Sequence, residues 1–555
     1  MNGDRPVKPP ADADKREALA RLLRERIAAP QVEHPLSFNQ RSLWFMHRLA
    51  PGSAAYNVAY AFVVESPLDA AALRGAFERL TARHAILRTT YSAAAPVQVV
   101  HAGRPLDFAE VDARESAAAD LDERLRAEAQ RPFDLEHGPV FRVRVFTTAD
   151  APVLLVTFHH IAYDLWSMAT FLAELGALYR AAATGAGPLP PPETQYVDFV
   201  RWQHERLAAD GERLWTYWRG VLSGALPVLE LPADHPRPPV QSFHGAVLSR
   251  GIPADLAARL RELARAEGVT LFVVLLAAYQ LFLHRASGQP DVLVGTPMAG
   301  RSRAEFEQLI GYMLNSLPLR ADFAADPPFR TVLRGARDQV RGALEHQDYP
   351  VELLVERLRP ARSANQAPLF QTMFVLNQPH HVQGGIDLTA GAASAHDLRL
   401  RRLDLDLRIA QFDVSLEVVD LAEGLTCNWE YATDLFDEAR VATWARQLEG
   451  VLAAIVEAPG DRTSELLARA AAPRTPSEEA VAEIFREMFG RERVTLDDSF
   501  LTAGGDADTA RRIAGRLSSL TGVTVPLAAV FDAPTVAGLA SLLEDALLGA
   551  LGDGD

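Results

Sequence analysis

Cysteine is almost missing from this chain: Cys427 is the single one in 555 residues. That excludes an internal disulfide and suits a reducing compartment. The strand-like run around Cys427 marks it as a small core hydrophobe. Basic residues are also short, with 56 Lys and Arg against 72 Asp and Glu and a formal charge of −16. No basic run or aromatic–basic interleave offsets the deficit, which argues against a nucleic-acid surface. No apolar run is long enough to span a bilayer and no signal peptide opens the chain, so a cytoplasmic protein without a membrane partner is expected. Metal-ligand patterns are missing too. There is no HExxH helix and no cysteine cluster, and no metal is expected.

What is present is ordinary globular material, 48% hydrophobic and 23% charged, in a length that suggests three or four units of domain size. The chain is organised around residues 152–168, PVLLVTFHHIAYDLWSM. Val153 to Phe158 has the length and composition of a buried strand. It delivers His159 and His160 to its end, Asp164 follows four residues on, and Met168 to Ala183 has helical periodicity. A strand end, a polar turn and a helix start can hold reactive side chains on rigid supports. The histidine pair alone is ambiguous, because such pairs are commonly surface residues or satisfied core groups.

The wider pattern is more specific. HHIAYDLWS resembles the HHxxxDGxS signature of condensation domains of nonribosomal peptide synthetases. The strings LSFNQRSLWFMHRLAPGSAAYN (from Leu36), ARHAILRTTY, QYVDFVRW (from Gln195), DVLVGTPMAGR (from Asp291), IGYMLNSLPLR, HQDYPVELL, APLFQTMFVLNQ and WEYATDLFD (from Trp429) follow at that family's spacing. After an Ala/Pro/Thr linker the chain becomes nearly all helical, and LDDSFLTAGGDADTARRIAGRL resembles a carrier domain's phosphopantetheine motif. The resemblance implies a two-lobed, chloramphenicol-acetyltransferase-like α/β (α+β) fold followed by an all-α four-helix carrier bundle. The expected organisation is an N-terminal tail with an amphipathic helix from Lys15 to Ala29 (1–35), an N-terminal lobe (36–210), a C-terminal lobe (211–465), a linker (466–476) and a carrier (477–550).

The same resemblance implies amide formation between an upstream carrier-bound acyl donor and a downstream aminoacyl acceptor. His160 would face a tunnel between the lobes, orienting the amine first and removing its proton second. His159 would shape the turn. Asp164 would be held by Arg301 as a structural ion pair, because a buried carboxylate needs a cation. Arg83 and Arg88 would make buried or half-buried pairs. Trp166 and Ser167 would cap and anchor the following helix.

Several positions depart from the family pattern. The family's glycine after the aspartate is Leu165, which narrows the channel or alters the turn. The charged stretch near 362–368 is replaced by RSANQAP. In the carrier, Gly504-Gly505-Asp506 is followed by Ala507, where the family has the serine that receives 4'-phosphopantetheine. A methyl group cannot be loaded. A deliberate Ser→Ala replacement is favoured by the intact flanking helices; a naturally inactive carrier kept for docking is the other account, kept open by Asp508. With serine at 507, a phosphopantetheinyl transferase would become a partner. No adenylation domain lies between the two parts, so an enzyme in trans or a domain beyond this sequence must load the acceptor. Alternatives on the same fold are an ester-forming, epimerising or modifying domain, or a non-catalytic platform that recruits a tailoring enzyme.

Overall fold

A computed structural model describes residues 31–185, 187, 189–360, 365–378, 392–395, 398–421 and 424–552. The helix expected over Lys15 to Ala29 and the departures at Arg362 to Ala364 lie outside them. In chain order the strands are β1 (Gln31–Pro35), β2 (Asn57–Val64), β3 (Thr89–Tyr91), β4 (Val97–His101), β5 (Asp107–Asp112), β6 (Phe141–Thr147), β7 (Val153–His159), β8 (Gly245–Ile252), β9 (Asp291–Met298), β10 (Asn315–Asp322), β11 (Thr372–Asn377), β12 (Ala392–Ala395), β13 (Leu398–Leu403), β14 (Val414–Leu421) and β15 (Gly424–Ala432).

The described chain packs as two compact units. The first takes in residues up to Ala254, Leu293–Arg320 and Asp338–Val441. It contains a small sheet ordered β1-β4-β3 and a six-stranded sheet ordered β12-β13-β2-β7-β6-β5. A second six-stranded sheet, β10-β9-β11-β14-β15-β8, lies almost wholly in this unit. β7 is buried along its whole length, as a central strand covered on both faces must be. Its end is fixed on both sides, with His159 opposite Asn57 of β2 and Phe158 opposite Phe141 of β6. β13 comes from far along the chain and adds to the edge of β2, Leu400 opposite Val64. β15 alternates buried and partly exposed residues, and Cys427 falls on its buried face.

The second unit holds Asp255–Val292, Ala321–Arg337 and Ala442–Asp555. Helix Leu271–Ser287 is buried at eleven consecutive positions, Val273 to Leu283. No single described helix is long and apolar enough to cross a membrane; this helix and Ala254–Ala266 reach that composition only together, and they meet at a bend of 108°. The carrier segment forms helices Pro476–Phe489, Ala507–Thr521, Leu527–Asp532 and Val536–Gly552. Val481, Phe485, Ile513, Leu517 and Leu539 share its core. Thr475 and Glu478 make a capping box that starts the first of these helices.

Two expected boundaries meet continuous structure. Helix Tyr196–Val221 is 26 residues long and runs unbroken across 210–211. Residues Thr463–Ala470 are helical, so the connection to the carrier is shorter than 466–476.

Candidate active site

β7 ends at His159, and a single 3₁₀ turn (His160–Ala162) carries the chain away from the sheet. The His160 N–H donates to the Tyr56 carbonyl at 2.8 Å. Its Nδ1 lies 2.6 Å from the carbonyl oxygen of Tyr163. A carbonyl can only accept, so Nδ1 carries the proton and Nε2 keeps its lone pair. Burial lowers the His160 pKa, against the opposing pull of the Tyr163 carbonyl and of Asp164. The ring is therefore a neutral base near pH 7, and the residue as a whole is partly exposed. His159 is buried, and its Nδ1 accepts the Ile161 N–H at 3.1 Å. Burial holds its pKa well down, and His47 and His160 lower it further. Its ring meets His47 and Phe133 edge-on, at 5.8 and 6.1 Å.

Asp164 is fully buried and paired with Arg301 at both oxygens: Nη1 donates to Oδ2 at 2.9 Å and Nη2 to Oδ1 at 2.8 Å. The fork-on-fork geometry is the strong form of such a pair. Oδ1 also accepts the Ser167 N–H at 3.0 Å, and Oδ2 accepts the Met313 N–H at 3.1 Å. The Ser167 hydroxyl lies 2.9 Å from Oδ1 and accepts the Gly311 N–H at 3.1 Å. One carboxylate thus fastens the histidine turn, the start of helix Ser167–Thr184 and the segment 299–313. Gly300 is required for that approach: its φ is +66°, and a Cβ there would come within 1.9 Å of the Met313 carbonyl oxygen.

The cap differs from the expectation. Trp166 occupies the N-cap position without a side-chain bond and is 38% exposed, while the carboxylate of Asp164 takes the helix N–H. Leu165 is not among the described non-glycine residues with positive φ, so the turn does not need a glycine's backbone freedom there. Its side chain is exposed. Arg83 pairs with Glu174 at 2.8 Å, but Arg88 donates to the His101 carbonyl instead of a carboxylate.

Sequence reasoning missed Tyr312 beside His160 and Glu352 beside Tyr312. The Tyr312 ring stands edge-on to the imidazole, centroids 4.9 Å apart. The charge of Glu352 is the strongest neighbouring influence on the Tyr312 phenol, whose pKa burial already pushes far up. Glu352 lies in helix Val351–Leu358, whose start is fixed by Val351 N–H donating to Asn315 Oδ1 at 3.0 Å. Both residues sit in strings that match the family, IGYMLNSLPLR and HQDYPVELL. The signal was present as spacing, but nothing local joined it to His160. A cleft of about 520 Å³ lined by Trp44, His47, Phe133 and Asp134 borders the His159 neighbours, and His160 does not line it.

In the carrier, Asp506 caps helix Ala507–Thr521, accepting the Thr509 N–H and hydroxyl at Oδ1, each at 2.9 Å. Gly504 has φ +89° in the preceding turn, and Gly505 packs against Phe500, where a Cβ would come within 2.6 Å of the Phe500 carbonyl oxygen. The frame that presents a hydroxyl at the helix start is intact, and residue 507 has none. These residues therefore do not fit covalently attached 4'-phosphopantetheine.

Comparison with known proteins gives a consistent result. The profile of the Condensation domain matches residues 31–472, and that of the Phosphopantetheine attachment site matches 479–543. Chondramide synthase cmdD of Chondromyces crocatus is 40% identical over 78% of this chain, and phosphinothricin tripeptide synthetase PhsB of Streptomyces viridochromogenes is 38% identical over 76%. This chain spans 11% and 36% of the length of those two relatives. Among solved structures, the X-domain in complex with OxyB from teicoplanin biosynthesis is 29% identical, with a TM-score of 0.71 over 78% of this chain and 95% of that one. A four-domain nonribosomal peptide synthetase bound to AMP and glycine shares the fold, with a TM-score of 0.73 over 84% of this chain and 37% of that one, at 23% identity.

Proposed function

Because this chain belongs to the condensation-domain family, the amide-forming acyltransferases of nonribosomal peptide synthetases, we propose that it joins a carrier-bound acyl thioester to the amine of a carrier-bound aminoacyl acceptor. The observation that carries the reading is the state of His160: Nδ1 committed to the Tyr163 carbonyl, Nε2 free, and burial keeping the ring neutral. The amine nitrogen attacks the thioester carbonyl carbon, the carbon–nitrogen bond forms, and the carbon–sulfur bond breaks. Nε2 first holds the amine in line, then takes the proton that nitrogen sheds and returns it to the leaving sulfur. A thioester is already activated, so alignment is the larger contribution: effective molarities of about 10⁵–10⁸ M are available to positioned reactants, against roughly 10²–10⁴-fold from proton transfer. His159, Asp164, Arg301 and Ser167 hold the imidazole in place, and Leu165 borders the approach to it.

The reading brings partners. An upstream carrier supplies the donor, an adenylation enzyme or domain outside this sequence supplies the acceptor, and the setting is the cytosol. Lobes divided near 210 and a carrier over 477–550 belong to the same proposal. Because Ala507 takes no pantetheine arm, the acceptor is offered in the test as an aminoacyl pantetheine thioester, with a loaded donor carrier. Mass spectrometry should detect an amide product from the wild type. His160→Ala should lower the rate by at least about 10²–10⁴-fold, the proton-transfer share alone, with the protein still folded, and an unaltered rate would remove the imidazole from the mechanism.

A second reading has one observation in its favour: the 29% identity to an X-domain whose structure was solved with OxyB. Carried over, it makes this chain a non-catalytic platform for a tailoring enzyme. Absence of amide product with every donor tried, together with stable binding of an OxyB-like enzyme, would favour it.

A further inference from the structure

Glu352 is an acidic group beside Tyr312, the ring that packs against His160, and the mechanism above leaves it unused. Its Oε2 is buried and has no hydrogen-bond partner among the described residues, and its carboxyl is relieved in part by its own backbone N–H. An unpaired buried carboxylate oxygen is costly to keep. The neighbours at hand do not repay that cost. When charged, Glu352 acts on the phenols of Tyr312 and Tyr196, groups that at neutral pH are themselves uncharged and offer it no counter-charge. The fixed cation of the site, Arg301, is already committed to Asp164 at both oxygens. Tyr312 is the link between the two groups: its ring packs edge-on to His160 while its phenol feels Glu352. The helix bearing Glu352 is held by Asn315, whose Nδ2 donates to the Gln347 and Tyr349 carbonyls at 2.8 Å each. The carboxyl is thus fixed in place on a braced support, as a group that must meet a ligand should be.

We propose that Glu352 is the binding group for the acceptor's amine, receiving it as an ammonium beside Tyr312 before His160 acts on it. The inference rests on the amide-forming reading and adds the residue that selects the amine partner. A buried acceptor oxygen without a donor is completed by a ligand that brings N–H donors and a positive charge. The proton balance closes. Burial pushes the Glu352 pKa up to about 8, so near pH 7 the carboxyl is mostly protonated; it gives that proton to the incoming amine to form the ion pair, and recovers it as the amine is released to attack. The proton lost on carbon–nitrogen bond formation is a different one and goes to His160 Nε2.

The test uses the full chain and non-reacting probes: glycyl, leucyl and phenylalanyl pantetheine amides, each beside its des-amino counterpart, with binding read by calorimetry. Wild type should bind at least one amine probe tenfold or more tighter than its des-amino form, and Glu352→Gln, which keeps the size of the side chain, should erase the preference. In the amide-forming assay the same variant should raise the acceptor KM tenfold or more with the donor KM unchanged, and Glu352→Asp should recover part of the loss. No preference for the amine in wild type, or the same preference in Glu352→Gln, overturns the assignment. A wild type that makes no amide would instead defeat the amide-forming reading, and the binding comparison would still decide Glu352.

Discussion

Asp164 and Asp506 do the same local job in two places. Each precedes a helix, accepts a backbone N–H from its first turn (Ser167 at 3.0 Å, Thr509 at 2.9 Å), and lies 2.9 Å from the hydroxyl of that same residue. Their surroundings differ completely. Asp164 is fully buried and clamped by Arg301; Asp506 is exposed, and its pKa is lowered mainly by the Thr509 backbone N–H. One local device, once buried and charged, ties distant segments together. Left at the surface, it only starts a helix. The first sits beside a base with a free lone pair, the second beside a methyl where a hydroxyl would stand.

The largest effect that would sharpen this comparison is all-or-none. Incubated with a phosphopantetheinyl transferase and coenzyme A, the wild-type carrier should gain no mass, whereas Ala507→Ser should gain one phosphopantetheine. A modified wild type would show that another hydroxyl serves, and an unmodified Ala507→Ser would show that the frame around 507 is itself unfit.

The two aspartates should then separate in stability. Asp164→Ala leaves Arg301 buried without its partner and should cost about 3–5 kcal/mol. Asp506→Ala removes an exposed cap and should cost far less. Equal losses by chemical denaturation would break the claim that burial, and not the cap, makes the difference.

A smaller, graded effect concerns pH. Burial lowers the pKa of both His159 and His160, so the unfolded chain takes up protons first on acidification. Their contribution is complete above the unfolded pKa of about 6.5 and is lost as pH falls below it. Stability and amide-forming rate should both decline on that acid side. Because the folded His160 takes up its proton only below the unfolded value, stability should begin to fall at a higher pH than the rate does; a rate with no acid-side decline at all in the folded protein would remove the neutral imidazole from the chemistry.

The strand that carries the histidines was legible from its composition and length, and so was its junction with helix Ser167–Thr184. The Asp164–Arg301 pair was legible only through family resemblance, since 137 residues separate the partners. Tyr312 and Glu352 escaped because pattern and propensity report neighbours along the chain, whereas Tyr312 meets His160, and Glu352 acts on Tyr312, only through the packing of separate elements. β13 on the edge of β2 was out of reach for the same reason. The length of helix Tyr196–Val221 was missed because its start, QYVDFVRW, was read as a family segment and not followed onward as a helical pattern.

That helix bears on how such proteins can be recombined. At about 1.5 Å per residue its 26 residues extend roughly 39 Å. At one end the Tyr196 hydroxyl donates to the Tyr312 carbonyl at 2.7 Å, and towards the other the Trp218 indole N–H donates to the His346 carbonyl at 3.1 Å. A hybrid synthetase spliced at a sequence-guided seam near 210 would sever this beam and pair unmatched halves of it. Crossover points before Gln195 or after Leu222 keep the beam and both its anchors from a single parent.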